Sequence, residues 1–211
     1  MNYFIVDDSL NEKIVGSDFP QVYKFIKGYD EDAPNSLLSL HKYWDTFPDY
    51  EPNLDGVMLA GYAKLTDFVS SGFGSRLRIM SPKAKAVLEQ FDLCTHRFYP
   101  LGLYKRKIKY DYFLLHIASA YSDYVDYERT SFVEQNFING YKSESFFVKS
   151  KKEFWERREK VENEKGISWG IWGDRIVMSK DFIPKLDFFE ICILDGSTYV
   201  SERLKEAIEN A

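Results

Sequence analysis

The sequence predicts an α+β fold: a mainly antiparallel sheet with several amphipathic helices packed on it, in a single compact domain with a more irregular N-terminal part. Three observations carry this reading. Ser81 stands at an N-cap position with Pro82 after it, and Ala84, Val87, Leu88 and Phe91 then recur at helical spacing, leaving Lys83, Lys85, Glu89 and Gln90 for solvent. Residues 98–104 and 110–117 are rich in aromatic and branched side chains and are separated by Lys105, Arg106 and Lys107, which reads as an antiparallel pair. Hydrophobic residues make up 45% of the 211, with 15 Tyr and 17 Phe, enough apolar surface to offset chain entropy.

Taken in order, residues 2–6 form a short apolar run ending in Asp7 and Asp8, as a first strand would. Val22, Tyr23, Phe25 and Ile26 fit strand or helix. Residues 28–35 are turn-forming, and residues 43–53 mix Trp44, Phe47, Tyr50 and two prolines among acids. After residues 57–69 and a Gly72-Phe73-Gly74 turn, residues 77–80 read as a strand feeding the Ser81 helix. Tyr121, Tyr124 and Tyr127 line one side of a helix or loop. Phe146, Phe147 and Val148 precede a helix over residues 151–165, where Glu153 with Arg157 and Glu156 with Lys160 stand at i,i+4 spacing and Phe154, Trp155, Arg158 and Val161 supply a narrow stripe. Gly173 and Asp174 read as a turn into residues 175–178, Ser179 as a helix start that Pro184 ends, residues 186–194 as a strong strand, and Ser201 as the cap of a last helix carrying Leu204, Ala207 and Ile208. Residues 77–81, 176–179 and 199–201 each run from apolar strand to serine to helix, an echo short enough for capping alone to generate. The expected organisation is an acidic part, residues 1–56, packed on a main domain, residues 57–211.

Charge is unevenly placed. Residues 1–55 hold eleven acids against four lysines, a net charge of −7, so the remainder carries +2 against the total of −5. Such a surface repels phosphate and anionic lipid and attracts basic proteins, which argues against a nucleic-acid partner. No segment is apolar for long enough to span a bilayer, and the first residues lack a basic region followed by an apolar run, so a cytoplasmic location is expected. Cys94 and Cys192 sit in apolar surroundings without C-x-x-C spacing and read as buried hydrophobes.

Catalytic chemistry is sparse. There is no H-E-x-x-H, G-x-S-x-G or phosphate-loop pattern, and His116 alternates with buried positions as a hydrogen-bonded core residue would. Cys94 and His96 lie two apart, the spacing of a thiol and its base on a strand, and Asp123, Asp126 and Glu128 are the remaining carboxylate candidates. EF-hand spacing is absent, and neither a metal nor a cofactor is expected.

The Ser81-Pro-Lys-Ala-Lys-Ala-Val-Leu-Glu segment, the Phe98-Tyr-Pro-Leu run, Tyr110-Asp-Tyr-Phe-Leu-Leu, residues 123–131, Ile176-Val-Met-Ser and the terminal Val200-Ser-Glu-x-Leu-Lys-x-Ala-Ile together resemble the immunity protein 11 family, formerly domain of unknown function 1629, of bacterial polymorphic toxin systems. The likeness spans residues 57–211. It implies an antitoxin that binds and neutralises a cognate toxin or effector, without catalysis or cofactor. The expected contact residues are Asp30, Glu31, Asp32, Asp45, Asp49 and Glu51 for charge, with Trp44, Tyr50, Trp169 and Trp172 as anchors. Two alternatives stand beside it: an enzyme reversing a toxin's modification through Cys94 and His96 or the carboxylates at 123–128, and a regulatory domain that pairs with itself through an open sheet edge.

Overall fold

The computed structural model describes residues 3–43, 46–74, 76–118, 121–136, 138–182, 186–191 and 197–211. In chain order the elements are β1 (Tyr3–Val6), α1 (Glu12–Val15), β2 (Val22–Phe25), β3 (Asp55–Leu59), β4 (Phe68–Val69), β5 (Leu77–Met80), α2 (Pro82–Leu88), β6 (His96–Lys105), β7 (Ile108–Ile117), β8 (Ser131–Asn136), β9 (Phe146–Phe147), α3 (Lys151–Lys165), β10 (Trp169–Arg175), β11 (Phe188–Glu190), β12 (Thr198–Ser201) and α4 (Glu202–Glu209). The fold is α+β, and every strand pair but β3 with β6 is antiparallel. The chain falls into two compact units, one of residues 1–119, 185–190 and 197–211 and one of residues 120–184 and 191–196.

The first unit is organised by the β6–β7 hairpin, which runs the full length of both strands from His96↔Ile117 to Lys105↔Ile108. It is the centre of a six-stranded sheet in the order β2-β3-β6-β7-β5-β4. Alternation then assigns the faces. Leu77, Ile79, Tyr99, Leu101, Leu103, Tyr112 and Leu114 enter the core with Val57 of β3 and with Leu37, Leu40 and Leu54 from the N-terminal part. On the other face lie Phe98, Phe113 and Leu115, with α2 above them through buried Ala84 and Leu88. Val22 to Phe25 resolves as strand, since it pairs with β3. Residues of the acidic part are therefore sheet members: β2 pairs with β3, and β1 pairs with β12.

A second, three-stranded sheet in the order β1-β12-β11 repeats part of the first. Ser81 and Ser201 cap α2 and α4 at φ −69° with ψ 162° and 161°, each accepting from the N–H three residues on. Each serine hydroxyl donates to an aspartate 14 residues earlier, Asp67 or Asp187, and each serine N–H donates to that aspartate's carbonyl at 2.9 and 2.8 Å. Two residues past the cap stands a cation for the same carboxylate, Lys83 at 3.6 Å from Asp67 and Arg203 on Asp187. Lys85 with Glu89 and Lys205 with Glu209 follow as i,i+4 pairs. Register agrees as well: Met80 faces Phe113 on β7 as Val200 faces Phe4 on β1. Tyr112 and Tyr3 each donate a hydroxyl to the carbonyl just before the aspartate, Thr66 at 3.0 Å and Leu186 at 3.1 Å. Capping alone does not generate this. The β7-β5-β4-α2 and β1-β12-β11-α4 groups are two copies of one unit.

The third member of the sequence echo is not a copy. Residues 180–182 form a turn after Ser179, while Ile183 and Pro184 lie outside the described residues. Of the strand expected over 186–194, β11 forms at Phe188–Glu190, and residues 192–194 lie outside the described residues. In the second unit β10-β8-β9 form a sheet against α3, which buries Phe154 and Val161. Gly173 and Asp174 are not a turn: β10 runs through them with an irregularity before Arg175. The expected Glu153–Arg157 and Glu156–Lys160 pairs do not form either. Arg157 reaches across to Glu134 of β8 at 3.0 Å, and Lys152 takes Glu156.

Candidate functional site

The expected acidic contact residues converge only in part. Asp30, Glu31, Asp32, Asp49 and Glu51 are all exposed on the irregular segment between β2 and β3, and among the described residues none of them is in an ion pair. The segment is tied together from within. The Tyr29 hydroxyl donates to the Asn53 carbonyl at 2.6 Å and accepts the Leu37 N–H at 2.8 Å. Ser36 donates to the Glu31 carbonyl at 2.7 Å, and the Ser39 and Tyr50 hydroxyls meet at 2.8 Å. Tyr50 is thus half-buried and spoken for within the chain. Trp44 and Asp45 lie outside the described residues. Trp169 and Trp172 belong to β10 of the second unit, where Trp169 packs on Tyr141 at 5.4 Å and under Lys165 at 4.4 Å.

The catalytic alternatives find little geometry. Cys94 is 1% exposed, and His96 directs Nδ1 at the Cys94 carbonyl oxygen, 2.7 Å away. Asp123 and Asp126 diverge, one to Lys151 and the other to Arg129 at 3.7 Å. Among the described residues no group of three His, Cys, Asp or Glu side chains is placed to hold a metal, and no helix is long and apolar enough to cross a membrane.

His116 sits in the core as the alternation predicts, 1% exposed, beside a cavity of about 170 Å³ lined also by His41, Tyr43 and Arg76. Its Nε2 lies 2.7 Å from the Tyr43 carbonyl, which can only accept, so Nε2 carries the proton and Nδ1 is a buried lone pair without a hydrogen bond. Burial holds the imidazole below its ordinary value, and the charges of Arg76, Arg97 and His41 act in the same direction against the Tyr43 carbonyl. The folded state therefore keeps His116 neutral while the unfolded chain takes up a proton below about pH 6.5, so stability is full above that pH and falls as pH drops, by up to about 1.4 kcal/mol per unit. Glu190, whose carboxyl burial raises, acts oppositely above its ordinary value, so variant and parent are compared at each pH. His116→Gln, which keeps a donor for Tyr43, is expected to flatten the fall in urea midpoint between pH 7 and 5. An unchanged slope places its origin elsewhere.

A cleft of about 520 Å³ lies between β1, α4 and the β4 to β5 region of the first unit. Phe4, Val6, Phe68, Val200 and Ile208 give it an apolar wall, and Arg78 also lines it, bound to Glu190 at 3.4 Å and to the Thr198 hydroxyl. Asp7 and Asp8 also line it. Packing around Asp8 raises its carboxyl above the ordinary value, Asp7 adds to this, and Arg78 opposes it. The size and lining fit a binding cleft. Local sequence patterns do not reveal it, because its walls come from distant stretches: residues 4–15, Gln21, residues 66–78 and residues 200–209. Comparison with protein-family models and with curated proteins finds no match for this chain.

Proposed function

We propose that the protein is an inhibitor that works by binding, of the kind the immunity protein 11 resemblance implies: it occludes a basic toxin or effector domain without chemistry of its own. The observation that supports this most is the tied acidic segment. Five exposed carboxylates without ion-pair partners stand on a stretch whose backbone is fixed by Tyr29, Ser36 and the Ser39–Tyr50 contact, so little ordering is required when a partner arrives. Unpaired charge on a fixed surface raises association rates with an oppositely charged partner, and it does so less at high salt.

The test is co-expression with the product of the neighbouring gene, followed by binding kinetics of the purified pair. A complex is expected whose association rate falls steeply between 50 and 500 mM salt. Asp30→Asn with Glu31→Gln and Asp32→Asn should slow association about tenfold and leave dissociation nearly unchanged. Absence of a complex, or association indifferent to salt and to the triple substitution, ends the proposal.

A further inference from the structure

The two copied units differ in what lies on the far side of β7 and of β1. In one copy β7 is flanked by β5 on one edge and β6 on the other. In the second copy β1 is flanked by β12, and among the described residues no strand pairs with its other edge. On β1 itself, Ile5 is 55% exposed.

The register shows what fills the missing place in the complete copy. Phe98 of β6 stands opposite Leu115, and Pro100 opposite Phe113. Lys85 of α2 lies over both rings, 5.2 Å from Phe98 and 5.0 Å from Phe113. In the second copy Phe4 takes the place of Phe113, Val6 of Leu115 and Lys205 of Lys85. Lys205 lies 5.2 Å from Phe4, in the same cation–π arrangement. Among the described residues no counterpart of Phe98 pairs with β1, and the counterparts of Phe113, Leu115 and Lys85, which are Phe4, Val6 and Lys205, instead line the 520 Å³ cleft. One position further, Arg97 of β6 faces His116, whose counterpart beyond β1 is Asp7.

We infer that the outer edge of β1 is a docking site for an extended strand of a partner protein, running antiparallel to β1, with a basic residue facing Asp7 and the aromatic residue after it filling the cleft beside Phe4 and Lys205. Three features of this edge select the occupant. An open edge presents unpaired backbone donors and acceptors that another strand satisfies. The cleft matches an aromatic side chain in the position Phe98 holds in the other copy. Asp7 and Asp8 supply the charge that a basic neighbour of that aromatic residue requires. The inference stands independently of the acidic segment between β2 and β3, and a partner can use either surface without the other.

The chain itself provides the probe: a capped synthetic peptide of residues 96–103, His-Arg-Phe-Tyr-Pro-Leu-Gly-Leu. Added to the full-length protein, it is expected to slow amide hydrogen exchange at residues 3–6 and to shift the resonances of Phe4, Val6 and Ile208. Replacing the peptide's phenylalanine by alanine should weaken binding about tenfold, as should exchanging its arginine for glutamate. On the protein, Lys205→Ala and Asp7→Asn, both at solvent-accessible positions, should weaken binding several-fold with the thermal midpoint unchanged. The inference is overturned if the peptide protects no β1 amide or if the loss of its aromatic ring leaves binding unaltered. It is equally overturned if β1 protection rises with the concentration of the protein alone, which would assign the edge to a second copy of this chain.

Discussion

Asp187→Ala is expected to cost about 3–5 kcal/mol of stability, and Asp67→Ala about 1 kcal/mol or less, although the two aspartates hold the same position in the two copied units. The difference lies in burial. Asp187 is fully buried, and its carboxylate accepts the Ser201 hydroxyl at 2.6 Å, the Asp92 N–H at 2.9 Å and the Arg203 guanidinium through two nitrogens. Removing it strands a buried hydroxyl and a half-buried N–H, each worth about 1–3 kcal/mol when left unsatisfied, and deprives Arg203 of its buried partner. Asp67 keeps half its side chain in water and pairs with Lys83 at 3.6 Å, so solvent replaces most of what is lost. Burial pushes the Asp187 carboxyl up, but Arg203, Ser201 and Asp92 outweigh it and hold the group below its ordinary value. That stability is present above the ordinary carboxylate range and disappears as pH falls below it. Urea unfolding of both variants at pH 7 gives the comparison. Equal losses would mean that the two units share less than their hydrogen bonds indicate.

What was legible in the sequence follows from how local each signal is. The α2 cap, the β6–β7 pair and the run of α3 were readable because a serine before a proline, alternating aromatics around a basic turn and a dense charged stretch each act within a few residues. β2 was ambiguous because four residues carry too little periodicity, and only pairing with β3 decides it. The internal duplication was half visible. Strand, serine and helix recur at residues 77–81 and 199–201, but the diagnostic partners stand far off: an aspartate followed by phenylalanine 14 residues before each serine, and a tyrosine on a third strand. In one copy that tyrosine follows the helix and in the other it opens the chain, so a search for repeats in the same order misses it. The ion pairs of α3 were misread for a related reason. Helical spacing lists the available pairs, but Glu134 on β8 draws both Arg157 and Lys165, at 3.0 and 2.7 Å, and burial-assisted pairing outcompetes the exposed i,i+4 option. The acidic contact residues were legible as composition and as exposure. Their fixed arrangement was not, because it depends on Tyr29 reaching Asn53.

Phe154→Ala should cost about 3–5 kcal/mol in the second unit, the range for truncating a fully buried aromatic residue. Phe154 is 0% exposed and stands among rings, 5.1 Å from Phe132 and 5.9 Å from Tyr127, with Trp155 at 5.5 Å. The loss is magnified by how little else fixes α3. Of its 15 residues only Phe154 and Val161 are buried, two turns apart on one face, and a helix of that length is marginal in water without packing. The ion pairs of Arg157 and Lys165 with Glu134 do not compensate, since both cations remain about two-fifths exposed. The cavity also unsettles Tyr127, whose buried hydroxyl donates to the Ser122 carbonyl at 3.1 Å and whose burial pushes its pKa up to about 12. Hydrogen exchange should therefore quicken along α3, β8 and β10 together, and Tyr127 should titrate closer to the ordinary tyrosine value. Phe154→Leu, which refills most of the space, should recover more than half of the stability. If α3 keeps its protection in the alanine variant, the helix is held by its charged pairs, and the ring cluster is not its anchor.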